Sequence, residues 1–128
     1  MRLPVWAMGA SLLLLLPEAA TADTATDAEL KAFANCRACH AMKPGGRKLP
    51  GPPLDNIIGR QAGTLDGFAY SKAMKVAGQE GLFWNAETLD AYVANPRAVV
   101  QGKKFLPGIR NADTRRKIIS YLMHQSGS

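Results

Sequence analysis

The chain has 128 residues, a length that allows one small domain whose own core is marginal. Hydrophobic residues make up 47% of it and charged residues 20%, and the net charge of +6 favours acidic surfaces. The aromatic residues do not alternate with basic ones as a base-stacking platform requires. We therefore predict acidic protein partners and no nucleic-acid binding.

The first 22 residues have the pattern of a secretory signal peptide. Arg2 gives a positively charged start, residues 5–16 form an apolar run too short to span a bilayer, and Ala20 and Ala22 form a small-residue cleavage site. An uncleaved membrane anchor is the alternative interpretation. We predict residues 1–22 as the signal peptide and residues 23–128 as one exported domain, located in the periplasm without stable membrane insertion after cleavage.

Helical features begin just after the predicted cleavage site. Thr26 and Glu29 form the pattern of a capping box, and Leu30, Phe33 and Ala34 recur at helical spacing, so the first helix is predicted to run into a pair of cysteines. Residues 41–67 then contain six glycines and four prolines without periodicity, which predicts a long loop. A loop of this length in a compact domain needs a surface to fold over.

Three further helices are predicted in the second half of the chain. A short one follows Ser71, a longer one lies between Asn85 and Pro96, and the last begins at Asn111 or Asp113. The last helix carries an apolar stripe, Ile118, Ile119, Leu122 and Met123. No stretch alternates as a strand does, so the predicted fold class is all-α.

Both cysteines lie in one short motif, NCRACH at residues 35–40, and three chemistries use such a pair. A redox disulfide requires the motif to open a helix after a strand, whereas here it closes a helix in an all-helical pattern. A structural zinc site needs four ligands. The one further Cys or His is His124, which the polar face of its helix explains as a surface residue.

Covalent attachment of haem fits the motif best. Cys36 and Cys39 are one helical turn apart, so both thiols can add to the two vinyl groups of one haem, and His40 follows as a ligand to the iron. A haem would also give the small core and the long loop the apolar surface that they lack. We predict one covalently attached haem c, bound by Cys36 and Cys39, with His40 as a metal ligand.

From Leu30 to Leu122 the chain resembles a class I c-type cytochrome of the mitochondrial cytochrome c and bacterial cytochrome c2 type. The resemblance depends on an ordered set of short motifs: CRACH at 36–40, GPPL at 51–54, GR at 59–60, GFAYS at 67–71, Trp84, ETLDAYVANP at 87–96 and YL at 121–122. It implies a small cytochrome c fold, with three to five helices wrapped around one haem. It also implies that the terminal helices cross through Phe33 and the region of Ile118, Tyr121 and Leu122.

The resemblance assigns four more residues to the cofactor. The carbonyl of Pro52 would accept the second ring N–H of His40, and that bond would fix the tautomer of the imidazole. The haem propionates would accept hydrogen bonds from three side chains, Arg60, Tyr70 and Trp84. Without the haem motif, these three are explained as a solvated loop charge, a turn residue and a core aromatic.

The segment expected to supply the sixth iron ligand departs from the family pattern. The family's loop is similar to G-T-K-M-x-F-x-G-I, whereas residues 101–109 read QGKKFLPGI, one residue shorter and without methionine. Different alignments place Lys104, Phe105 or Lys103 at the ligand position. We predict Lys104 as the metal ligand, with Lys103 or an open site as the alternatives. The methionines of the short and the last helix are interpreted as packing residues, Met74 and Met123.

Two functions are compatible with these features. The first is a monomeric electron carrier without enzymatic activity, which exchanges single electrons with membrane or soluble oxidoreductases. The second is a haem protein with an open or labile sixth site that binds or reduces nitric oxide, carbon monoxide or peroxide. We favour the carrier because no acid–base pair is evident on the distal side, where Tyr92 is expected. Lysines around the haem edge would steer acidic partners, namely Lys43, Lys48, Lys72, Lys75, Lys103 and Lys104.

Overall fold

A computed structural model describes residues 24–102 and 106–127. Within these ranges the chain forms five α-helices, a 3₁₀ helix and no strand, apart from one isolated bridge between Gln61 and Phe83. The helices are α1 (Asp27–Phe33), the 3₁₀ helix (Ala34–Ala38), α2 (Lys72–Gln79), α3 (Ala86–Ala94), α4 (Pro96–Val99) and α5 (Ala112–Ser126). The predicted all-α fold is confirmed, whereas the predicted signal peptide lies outside the described residues.

Four of the five α-helices in the described residues begin where the sequence predicts, whereas the short α4 was not predicted. Thr26 and Glu29 form a complete capping box on α1, since each side chain accepts a hydrogen bond from the other's backbone N–H. The side chains of Ser71, Asn85 and Asn111 likewise accept the N–H groups of the first turns of α2, α3 and α5. Each cap satisfies a backbone donor that has no partner inside its helix.

The first helix differs from the prediction in its end and in its buried face. The α-helix stops at Phe33, and the segment up to Ala38 continues as a tighter 3₁₀ helix. Leu30, predicted on the apolar face, is 38% exposed, whereas Glu29 is 8% exposed and faces the core side of the helix with Phe33. The predicted apolar face is therefore confirmed for Phe33 and wrong for Leu30 and Ala34, which are exposed.

The crossing of α1 and α5 is the centre of the core. The rings of Phe33 and Tyr121 stack with their centroids 4.4 Å apart. Phe33 and Ile118 are the largest fully buried side chains of the described residues, and Leu122 is buried beside them. The predicted crossing of the terminal helices is confirmed. It fixes the position of the 3₁₀ helix, because that helix directly follows α1.

The long loop between the 3₁₀ helix and α2 is ordered by backbone hydrogen bonds to other segments. The N–H of Gly51 donates to the carbonyl of Cys39 at 2.8 Å, and the N–H of Leu54 donates to that of Ala41 at 2.9 Å. Further along, the N–H of Ala62 donates to the carbonyl of Leu82 at 2.9 Å. The loop therefore returns past the cysteine motif before it reaches α2.

Among the described residues, no helix is both long and apolar enough to cross a bilayer.

Candidate haem-binding site

The two cysteines lie on one tight turn. The N–H of Cys39 donates to the carbonyl of Cys36 at 3.1 Å, and the N–H of His40 donates to the same carbonyl at 2.9 Å. Both thiols are free, with Cys36 half-buried and Cys39 exposed. Burial raises the pKa of the Cys36 thiol. A redox-active pair requires the opposite, a thiol pKa lowered by its surroundings, so the electrostatics do not favour a redox disulfide.

The imidazole of His40 is held by the returning loop. Its Nδ1 lies 2.8 Å from the carbonyl oxygen of Pro52, as the resemblance implied. An Nδ1–H that donates to this carbonyl leaves Nε2 with its lone pair available to a metal. The structure therefore places His40 in the orientation that a metal-ligating histidine requires, and the Pro52 carbonyl favours the tautomer with the proton on Nδ1.

Gly51 is the residue that lets the loop approach the imidazole so closely. A Cβ atom at this position would lie 2.3 Å from Cε1 and 2.6 Å from Nδ1 of His40, well inside van der Waals contact. Only glycine fits here without displacing the ring. The prediction did not single out this residue, although the motif GPPL, with its glycine directly before Pro52, contained the signal.

Arg60 is bound to the loop rather than free in solvent. Its guanidinium donates to the carbonyl of Pro53 at 3.3 Å and also to the carbonyl of Asp55. The loop is also hydrogen-bonded to the backbone of Trp84. The N–H of Trp84 donates to the carbonyl of Arg60 at 2.9 Å, and the carbonyl of Trp84 accepts the N–H of Gly59. Arg60 and Trp84, both predicted as propionate donors, are thus adjacent across a backbone hydrogen bond.

The aromatic site residues lie in two separate groups. Trp84 is 6% exposed and contacts Tyr92 of α3 with ring centroids 5.0 Å apart. Burial raises the pKa of the Tyr92 hydroxyl, which keeps it a neutral donor. Tyr70 makes an edge-to-face contact with Phe68 at 4.8 Å. Within the described ranges, Tyr70 has no hydrogen bond or ring contact with the other predicted site residues.

The predicted sixth ligand, Lys104, lies outside the described residues, as do Lys103 and Phe105. Met74 packs against the core as predicted. Met123 does not, because its position on the outer face of α5 leaves it 51% exposed.

His124 was predicted as an ordinary surface residue, and this was wrong. Its side chain is 17% exposed, and its Nε2 lies 3.4 Å from Oε1 of the buried Glu29. The helix wheel of α5 could not show this contact, because the partner is on another helix.

The described residues fit a covalently bound haem. Two free thiols one turn apart lie directly before a histidine whose Nδ1 is already engaged. The loop that orients this histidine has no side chain at the point of closest approach. A separate segment, between α2 and α3, carries the buried indole of Trp84.

Known proteins share both the sequence and the fold of this chain. Cytochrome c2 of Afifella marina is 40% identical over 93 residues, which cover 72% of this chain and 75% of the relative. Cytochrome c2 of Agrobacterium tumefaciens is 40% identical over 98 residues, covering 76% and 88%. No protein-family model matches the chain.

Two solved structures of c-type cytochromes are also similar to this chain in fold. The structure of cytochrome c2 from Rhodospirillum centenum superposes with a TM-score of 0.70 at 32% identity, covering 77% of this chain and 95% of that one. Cytochrome cH from Methylobacterium extorquens superposes with a TM-score of 0.65 at 39% identity, covering 75% and 94%.

A helical fold of this shape, with a C-x-x-C-H turn and an oriented histidine, defines a small c-type cytochrome. The chain belongs to the cytochrome c2 family of class I c-type cytochromes. It is therefore an electron carrier with one covalently attached haem c, and the predicted fold, cofactor and carrier function are confirmed.

Proposed function

We propose that Cys36 and Cys39 form the two thioether bonds to the haem and that His40 ligates its iron. The observation that carries this proposal is the hydrogen bond of 2.8 Å between Nδ1 of His40 and Pro52, which leaves Nε2 as the metal-binding nitrogen. When bound, the haem supplies a one-electron couple of its iron. The chain's own contribution is to attach, orient and enclose it.

The loop residues have complementary roles in this proposal. The Pro52 carbonyl fixes the imidazole tautomer and increases the donor strength of the ring. Arg60, Tyr70 and Trp84 provide N–H and O–H groups for the propionates, which would otherwise be unpaired charges away from water. The position of Arg60 supports this assignment, because its guanidinium is already fixed by two loop carbonyls.

Lys104 is proposed as the sixth ligand, with Lys103 as the alternative. The support is the sequence itself: the segment from Gln101 to Ile109 has no methionine and carries two adjacent lysines. A neutral amine can bind the iron, and binding the metal favours loss of the amine proton. Replacing a thioether by an amine removes the axial sulfur that raises the potential of His/Met cytochromes, so the potential is expected to be lower than theirs.

The carrier works with redox partners, and we propose that these are acidic proteins in the periplasm. We further propose that the carrier is a monomer and not itself an enzyme. Four of the predicted steering lysines are exposed, namely Lys43, Lys48, Lys72 and Lys75. With a net charge of +6, such a surface attracts acidic partners over the distance of a Debye length. No group of three or more His, Cys, Asp and Glu suited to a metal ion occurs among the described residues.

Extraction of the denatured holoprotein with acidified organic solvent tests the covalent attachment. The wild type is expected to retain its haem, and mass spectrometry should give the mass of the chain plus one haem. Cys36→Ala and Cys39→Ala should each keep one thioether bond, and the double variant should release all haem to the solvent. Release from the wild type would reject the proposal.

A further inference from the structure

Arg115, near the start of α5, joins three parts of the chain through one side chain that is 13% exposed. Its Nε donates to Oδ1 of Asp90 on α3 at 2.7 Å. Its Nη1 donates to the carbonyl of Ile109 at 2.9 Å and to the carbonyl of Arg110 at 2.8 Å. The guanidinium therefore holds α3, α5 and the residues just before α5 together.

The residues just before α5 also lie directly against the end of α3. The N–H of Ile109 donates to the carbonyl of Val93 at 2.8 Å. A Cβ atom at Gly108 would lie 2.0 Å from the carbonyl oxygen of Ala94, so the two backbones meet with no room for a side chain. We call residues 108–110 the anchor segment. It is held by the backbone of α3 on one side and by the guanidinium on the other.

In the sequence, the anchor segment follows closely on the proposed sixth ligand. Lys104 is four residues before Gly108. Four residues of fully extended chain span at most about 14 Å, so the position of the anchor segment limits where a ligand this close along the chain can reach. A group in this part of the sequence can stay at the iron only if the anchor segment stays in place.

We propose that Arg115 is a positioning residue that fixes the anchor segment and so stabilises the bond between the sixth ligand and the haem iron. This inference rests on the sixth ligand proposed above. A guanidinium suits the role, because its planar fork of donors holds several oxygen atoms in a fixed geometry and its charge strengthens each hydrogen bond. Since the axial ligands tune the potential of a haem, a fixed anchor segment would also keep the potential constant.

Titration of the oxidised holoprotein with imidazole, followed in the optical spectrum, tests this role, because imidazole can bind the iron only after the chain's own sixth ligand has left. Arg115→Met removes the donors and keeps an apolar side chain. It should raise the apparent affinity for imidazole about 10- to 100-fold, as expected when hydrogen bonds from a charged group are lost. Arg115→Lys and Asp90→Asn should give smaller increases, since each keeps part of the contacts.

The matched control is Arg116→Met, which removes the neighbouring arginine of α5 and its exposed ion pair with Asp113, and it should leave the affinity unchanged. A role of Arg115 in packing alone would lower the denaturant midpoint of Arg115→Met without raising its affinity for imidazole. That result would overturn the proposal. If Arg115→Met does not fold, Arg115→Lys and Asp90→Asn decide by the same titration.

Lys104→Ala, titrated in parallel, separates this inference from the proposed ligand. An increase in affinity in both Lys104→Ala and Arg115→Met supports both. An increase in Lys104→Ala alone overturns the role of Arg115 and keeps Lys104 as the ligand. An increase in Arg115→Met alone supports its role and assigns the sixth position to a group other than Lys104. No increase in either variant overturns both.

Discussion

Nδ1 of His40 lies 2.8 Å from the carbonyl oxygen of Pro52, a residue twelve positions further along the chain. This bond joins the end of the cysteine motif to the loop that returns past it. The close approach depends on the missing side chain of Gly51. The loop and His40, the proposed metal ligand, therefore form one unit, and a change in either should affect both.

Gly51→Ala should distort the imidazole and destabilise the holoprotein by about 1–3 kcal/mol, the usual cost of overpacking. The added Cβ would meet the ring of His40 at 2.3 Å, and the loop backbone would have to shift. Denaturant unfolding and the optical spectrum of the purified protein measure the two effects. The matched control is Gly46→Ala in the same loop, where a Cβ meets nothing within 4 Å. Equal stability of the two variants would contradict the role of Gly51.

Lys104→Ala should turn a low-spin oxidised spectrum high-spin and allow ready binding of carbon monoxide to the reduced protein, because the iron loses its sixth ligand. Lys103→Ala is the control, and it should leave both spectra unchanged. The opposite pattern would assign the ligand to Lys103. A wild-type oxidised spectrum that is already high-spin, or that neither substitution changes, would contradict lysine ligation and favour an open sixth site.

Electron transfer to an acidic redox protein should slow steeply as salt rises, because exposed charges are screened beyond about 8 Å at physiological ionic strength. Lys72→Glu should lower the rate at low salt and have little effect at high salt. Lys117→Glu makes the same change in net charge on α5, where Lys117 is paired with Asp113, and should have a smaller effect. A rate that does not respond to salt would exclude a basic docking face.

Glu29→Gln should flatten the acid end of the stability profile. The pKa of Glu29 is lowered from 4.5 to about 2, so the stabilisation by its carboxylate is complete above pH 4.5 and is lost as the pH falls toward 2. The wild type should therefore lose stability more steeply than the variant in this range. Asp113, whose pKa is lowered by Lys117, contributes equally to both proteins. Parallel profiles from denaturant midpoints would refute this role of Glu29.

The sequence by itself determined the chemistry and the local structure of this protein. C-x-x-C-H predicts covalent haem because two thiols and a histidine must follow one another on a single turn, a spacing visible without any fold. Caps such as Thr26, Ser71 and Asn85 were also predictable, since their hydrogen bonds reach only a few residues along the chain.

Only the tertiary structure decided which distant groups meet. Arg60 binds loop carbonyls, and Glu29 faces His124 across the α1–α5 crossing. The apolar pattern predicted Leu30 inside and His124 outside, because helical periodicity fixes which residues share a face but not what that face is packed against. The burial of Glu29 follows from the position of α5, whose Ser120 hydroxyl donates to the carboxylate and whose His124 lies beside it. That position is set by the packing of Phe33 on Tyr121.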